Sequence, residues 1–167
     1  GSYNEFVFDG EAYRVTIGLV DSGFEAQSNK KVYEFCLNNP LFMPSKGGQH
    51  QLKGFQVRMT PPMDDQLDLV WSHDDTFKQQ LYYHHLKEKK GRWWLPKDVP
   101  VSWRNQLTAE YTRKEKQKNG QHKLVWAIHG KEGNHLGDTE KMHLVLADTI
   151  EARFNRIREE LIVTPDN

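Results

Sequence analysis

The chain has 167 residues, enough for one domain with a substantial core, and its 23 basic and 23 acidic side chains cancel, so no bulk field draws it to nucleic acid or a membrane, although a local basic face can hide in a neutral total. Cys36 is the only cysteine, which excludes a disulfide framework and a cysteine-built zinc site and fits a reducing, cytosolic setting. No apolar run approaches the roughly 20 residues that span a bilayer, no signal peptide is visible, and Gly1-Ser2 reads as the remnant of an expression tag.

Residues 3–20 read as a hairpin, with YNEFVF and EAYRVTIGLV flanking Asp9-Gly10, a two-residue turn signal. The second arm loses its alternation at Val15, Ile17, Leu19 and Val20, which predicts a strand buried on both faces. Asp21-Ser22-Gly23 closes it. SNKKVYEFCLNN predicts a helix capped by Ser28 or Asn29, with Val32, Phe35 and Cys36 on one face and Pro40 as its stop. LFMPSKGG predicts a short strand and then a Lys-Gly-Gly loop. GFQVRMTPP and QLDLVWSH predict two more strands. Asp74 or Asp75 is placed to cap a helix over TFKQQLYYHHLKEK, with Phe77, Leu81 and Tyr82 inward.

GRWWLP predicts a short strand stopped by Pro96. SWRNQLTAEYTRKEKQKN predicts a helix that Gly120 ends. KLVWAIH is another strand, and a loop with Gly130, Gly133 and Gly137 leads into a last helix from about Asp138 to about Glu160. In that helix Met142, Leu146, Ile150 and Phe154 recur at four-residue spacing. Strands alternate with helices, so the fold class is α/β, a mixed sheet flanked by helices, in a single domain over 1–167.

The acids suggest a chemistry. Phosphodiester cleavage by two metal ions needs carboxylates that converge from separate parts of a fold, because hard Mg²⁺ or Mn²⁺ takes oxygen ligands. Asp21 stands at the carboxyl end of a strand read as central, where open α/β sheets place their sites, and Asp138 stands at the start of a helix. Each has a plainer reading beside it, Asp21 as a turn residue and Asp138 as a cap.

Segments along most of the chain, taken in order, resemble the nuclease domain of the large terminase subunit of lambda-like tailed phages. They are LVDSGF followed by VYEFC, PSKGG, LVWSHDDTFKQQLYYHHL with Asp75, Thr76 and Lys78 on an Asp-Thr-x-Lys pattern, GRWWLP, QLTAE at Gln106–Glu110, and KLVWAIHGKEGNHLGDTEKMHLVLAD with Asn134 and Asp138. The resemblance implies an RNase H-like fold and metal-dependent endonucleolytic cutting of concatemeric double-stranded DNA during genome packaging. It implies Asp21 and Asp138 as ligands of Mg²⁺ or Mn²⁺, and Asp75 as a third catalytic acid or a helix cap. The implied partners are double-stranded DNA and, in the intact motor, the small terminase subunit and the portal or procapsid; the setting is the host cytoplasm, with no membrane.

The chain also departs from the family pattern. Gly133 stands where an arginine is usual, His135 where a glutamate is usual, and Gly137 where an apolar residue is usual. His135 is open to two readings, a metal or phosphate contact or a loop histidine. The family strand bearing a first catalytic aspartate is not found upstream of Tyr3, and no G-x-x-x-x-G-K-[ST] loop is present. The chain therefore reads as a carboxy-terminal piece of a longer motor protein, weak or inactive in cutting by itself, partial in its RNase H-like fold. The alternative function is a non-cutting fragment that binds DNA or portal. The exposed strand edge left at Tyr13–Val20 is expected to be covered by residues 3–8 or by a second copy.

DNA contacts are expected from Lys46 and Lys78 near the acids, and from two basic runs, HLKEKKGRWW with Lys89, Lys90 and Arg92, and RKEKQKNGQHK beginning at Arg113. Trp93 and Trp94 read either as base-stacking residues or as a buried strand. The histidines show no H-E-x-x-H spacing, and no G-x-S-x-G element is present.

Overall fold

The structure, a computed structural model, describes residues 5–23, 26–48, 57–60, 67–86, 93, 95, 97–130 and 133–163, with the backbone alone for 6, 8, 26–29, 57–60 and 155–163. It is mixed α/β, as the alternation of elements predicts. It divides into two compact units, Gly1–Thr76 with Val145–Asn167, and Phe77–Leu144.

The first unit opens with the predicted hairpin. Strand β1 (Glu5–Phe8) pairs antiparallel with β2 (Glu11–Arg14), with Phe8 opposite Glu11. Asp9 and Gly10 both have positive φ, 50° and 79°, which a two-residue turn of this hand demands. The second arm is shorter than predicted. It ends at Arg14, and a separate strand β3 (Gly18–Asp21) joins a different sheet.

That sheet has the order β3-β4-β6-β5, with β4 (Phe42–Gly48), β5 (Val57–Thr60) and β6 (Leu69–His73). Strands β3, β4 and β6 run parallel and β5 is antiparallel to β6. The parallel step from β3 to β4 is made through helix α1 (Ala26–Asn38), since parallel neighbours need a long crossover. Two expectations are corrected here. The Asp21 strand lies at the sheet edge, not its centre, and residues 5–8 pair with β2 instead of covering β3. The ladder groups of β1 and β2 are spent on each other.

Helix α1 starts earlier than predicted, so Ser28 and Asn29 lie inside it and do not cap it. It ends at Asn38, two residues before Pro40, the stop that the sequence suggests. Asn38 and Asn39 donate side-chain amides to the carbonyls of Glu34 and Phe35, both at 2.8 Å. Phe35 packs against Phe42 with ring centroids 5.4 Å apart, and Cys36 is buried beneath them. Strand β4 runs through Gly48, so Lys46-Gly47-Gly48 is strand and not loop. Pro44 sits in this interior strand without breaking it. Ser45 turns its carbonyl to β3, where it takes the Ser22 amide, and the ladder to β6 begins only at Ser45–Val70, so no bond is missing at the proline nitrogen.

Helix α2 (Asp74–Gln79) follows β6 directly. Its cap is neither aspartate. Nδ1 of His73 accepts from the Thr76 amide at 3.3 Å and lies 2.8 Å from the Thr76 hydroxyl, the place an Asn or Ser side chain takes in other helices. Asp74 and Asp75 occupy the first turn instead, where the helix dipole favours negative charge.

In the second unit the helical path continues as a π segment (Gln80–Leu86) that buries Leu81 and Tyr82 beside Phe77 of α2. Most of GRWWLP lies outside the described residues, and Trp93 forms a bend. The long helix predicted from Ser102 to Asn119 is not one element. Helix α3 (Val101–Leu107) stops at Thr108, and β7 (Glu110–Lys116) pairs antiparallel with β8 (His122–Ile128). Lys, Glu and Gln favour helix locally, but the apolar run in β8 offers a ladder that wins over that weak preference.

Helix α4 (His135–Val163) contributes residues 135–144 to the second unit and 145–163 to the first. Among its described residues the buried positions are Gly137, Lys141, Val145 and Thr149, one residue off the predicted Met142, Leu146, Ile150 and Phe154; Phe154 is 68% exposed. Among the described residues no helix is long and apolar enough to cross a membrane.

Burial pushes the Cys36 thiol up from 9.0 to about 11. The thiolate is the reactive form, and at neutral pH its fraction falls about tenfold for each unit that the pKa rises, so Cys36 should react about 100-fold more slowly with an aromatic disulfide reagent in the folded protein than in urea. Equal rates in the two states would contradict this packing.

Candidate functional site

The carboxyl ends of the three parallel strands meet at one edge of the first unit's sheet. Asp21 ends β3 there, and its backbone is held from both sides. The buried Ser22 donates its amide and its hydroxyl to the Ser45 carbonyl, at 2.8 and 3.0 Å. Oδ1 of Asp21 accepts the Gly23 amide at 2.8 Å. The carboxylate is exposed yet fixed in orientation. Asp-Ser-Gly is thus both a turn and a rigid mount for an acid.

A second acid reaches the same edge, and sequence reasoning missed it. Asp74 follows β6, and a Cβ on Gly47 would fall inside its carboxylate. Gly47 is therefore the residue that lets Asp74 lie against β4. Since β4 separates β3 from β6, the backbones that carry Asp21 and Asp74 are two strand spacings, about 10 Å, apart. Asp75 lies one position further along α2. Lys46 lies on the intervening strand, with Nζ 5.9 Å from the ring centres of Tyr33 and Trp71, at the outer limit of a cation–π contact.

Asp138 belongs to the second unit, in the first turn of α4. Its amide donates to the Asn134 carbonyl at 2.9 Å, and its Oδ1 is 3.3 Å from Nζ of Lys141. The side chain is 40% exposed. The unusual residues before it have structural reasons. Gly133 has a φ of 74°, which an arginine would adopt only under strain. His135 is the first residue of the helix and not a loop residue, and its ring lies over Gly133. Gly137 faces the Tyr82 hydroxyl, and a Cβ there would stand 2.7 Å from it.

That hydroxyl is buried and has no hydrogen-bond partner among the described residues. Burial, then the charges of Glu110 and Asp138, hold its pKa well above the ordinary tyrosine range. Glu110 is itself buried, and Lys78 pairs with it at 2.5 Å, with side chains 13% and 4% exposed. Lys78 also lies 5.9 Å from the Trp126 ring centre. The pair joins two motifs that the sequence left separate, the Asp-Thr-x-Lys run and QLTAE. The charge of Lys78 is thereby directed at a buried carboxylate and not at open surface.

Of the other expected DNA contacts, Arg113 is exposed on β7, and Lys89, Lys90 and Arg92 lie outside the described residues, as does Trp94. Trp93 packs between His85 and His143, and its indole N–H donates to Glu140 at 2.9 Å. Both units thus supply carboxylate oxygens, the donor type that Mg²⁺ and Mn²⁺ take. Among the described residues, no group of three or more His, Cys, Asp or Glu is assembled to hold a metal ion. The donor chemistry of these carboxylates fits such ions, and no complete ligand set is assembled among the described residues.

The Gly137–Tyr82 contact makes a prediction. Gly137→Ala should destabilise the fold by about 1–3 kcal/mol through overpacking. Tyr82→Phe, which removes only the unpartnered hydroxyl, should change stability little, and should recover most of the loss when combined with Gly137→Ala. Denaturant melts of the four proteins check it; additive losses would refute the contact.

A family model described as the endonuclease domain of terminase large subunit gpA matches residues 3–159. No curated protein and no solved structure matches the chain. The match takes in the Asp21 turn, the Asp74–Lys78 helix start, QLTAE and the Asp138 helix turn alike, and the chain belongs to the family of terminase large subunit gpA endonuclease domains.

Proposed function

We propose that the chain is a metal-dependent endonuclease domain of a phage packaging motor, RNase H-like in design, which hydrolyses phosphodiester bonds of concatemeric double-stranded DNA. The observation that carries this reading is the family match over residues 3–159. The rigid mounting of Asp21 at the carboxyl edge of a parallel sheet supports it, because an acid there is oriented before any ligand arrives.

In this reading Asp21 and Asp138 are the ligands of Mg²⁺ or Mn²⁺. When bound, such an ion supplies Lewis-acid polarisation of the phosphodiester and a water nucleophile usable at neutral pH. The chain's own residues do the holding. The Gly23 amide fixes one oxygen of Asp21 and leaves the carboxylate facing solvent. Lys141, with Nζ 3.3 Å from Oδ1, orients Asp138 by its charge. Asp75 serves the dipole of α2. Lys46 stands close enough to the Asp21 edge to neutralise a phosphate. Small terminase subunit, portal or procapsid, and host cytoplasm complete the proposed setting.

Conversion of supercoiled plasmid by the large subunit carrying this domain tests the reading. With Mn²⁺, Asp21→Asn and Asp138→Asn should each slow cutting by more than about 100-fold, the upper end of what losing a merely supporting residue costs. Asp75→Asn should slow it by less than about tenfold. Undiminished cutting by the first two variants would remove the assignment. Intact DNA binding with no cutting by any protein would favour the non-cutting, DNA- or portal-binding alternative.

A further inference from the structure

The β7–β8 hairpin has a property that the nuclease reading does not use. Its root is packed, with Glu110 buried and Tyr111 and Thr112 half-buried, but every residue from Arg113 to Leu124 is exposed. The ladder nonetheless continues to Lys116–His122. The tip is closed by its own bonds. The Gln117 amide donates to the Gln121 carbonyl at 2.7 Å, the Gly120 amide to the Gln117 carbonyl at 2.9 Å, and the Gln121 amide to Asn119 Oδ1 at 3.0 Å. The result is an ordered two-stranded arm. At about 3.3 Å per residue, the exposed strand from Arg113 to Lys116 extends it by about 10 Å before the turn.

Charge is sorted along this arm. Residues 113–123 hold five Lys or Arg and one acid in a chain whose total charge is zero. Residues opposite each other in an antiparallel ladder share a face. Glu115 opposes Lys123 and lies 3.9 Å from Arg113, so the only acid falls on the face of Arg113 and Lys123. The other face presents Lys114 opposite Leu124 and Lys116 opposite His122, with no acid. Lys114 and Lys116 are about 7 Å apart along it, twice the 3.4 Å axial spacing of charges on one DNA strand. Leu124, level with Lys114 on this face, is 59% exposed.

We infer that the Glu110–Ile128 hairpin is a DNA-binding arm whose Lys114–Lys116–His122 face lies in the major groove of duplex DNA. A two-stranded ribbon is one of the two elements that the groove, about 12 Å wide, admits. The lysines neutralise phosphates, and Leu124 offers the apolar contact that a thymine methyl takes. The identity of the ligand rests on the nuclease reading; the shape and charge of the arm do not.

Binding of the protein to a 20-base-pair duplex, measured against salt in EDTA so that nothing is cut, is the test. Each phosphate contact contributes about 0.9 to the slope of log Kobs against log salt. Lys114→Gln with Lys116→Gln should lower the slope by about 1.8, while Lys30→Gln with Lys31→Gln, which removes the same charge from exposed positions on α1, should leave it unchanged. Circular dichroism should be identical for all three proteins. Equal slopes in the wild type and the ribbon variant, an equal fall in the α1 variant, or no salt-dependent binding by the wild type would overturn the inference. An equal loss on single-stranded DNA would overturn the groove. A protein that cuts DNA with an unaltered slope leaves the nuclease reading standing and removes the arm from it.

Discussion

A buried carboxylate needs a cation, and in the second unit Glu110 has Lys78. The two side chains are almost wholly withdrawn from water, so removing either alone would strand a charge, at a cost of about 3–5 kcal/mol in comparable cases. The pair ties the end of α2 to the first residue of β7. Tyr82 stands within range of the Glu110 charge, and its hydroxyl fills the space that Gly137 leaves. Asp138 follows Gly137 directly. The position of the acid on α4 is therefore set by a chain of contacts that starts at one ion pair, and Lys78, one of the two lysines expected to contact phosphate near the acids, is part of the frame.

The first unit solves the same problem without buried charge. Its acid sits on a strand end, and backbone amides do the orienting. Ser22 ties the strand end to β4, the Gly23 amide turns the carboxylate, and Gly47 admits Asp74 to the neighbouring position. Amides and hydroxyls orient an anion without neutralising it, which suits the metal-ligand role proposed for Asp21. Asp138, beside Lys141, is held by a competing charge instead. The two acids differ in kind, one set by geometry and one by electrostatics.

What could be read in advance was local. The Asp9-Gly10 turn, strands β5 and β6, and the existence of α1, α2 and α4 follow from residues adjacent in sequence. What could not be read depended on distant partners. The basic run after QLTAE has a helical composition and becomes a strand because β8 lies beside it. The buried stripe of α4 was displaced by one residue because two of its members are polar. Lys141 reaches Asp138, and the Thr149 hydroxyl donates to the Val145 carbonyl at 2.7 Å, so both are satisfied within the helix itself. Asp75, not Asp74, falls on the Asp-Thr-x-Lys pattern of the family resemblance, and the close approach of Asp74 to Gly47 is visible only in the fold. The family resemblance carried Asp21 and Asp138; composition and spacing alone left each of them a turn or a cap.

Asp21 and Asp138 are metal ligands in the proposed function, and diffraction from crystals soaked in Mn²⁺, collected at the manganese absorption edge, tests that proposal most directly. Anomalous density within about 2.0–2.6 Å of carboxylate oxygens of both aspartates is the predicted result. Density elsewhere on the molecule, or none at either aspartate under saturating Mn²⁺, would contradict it.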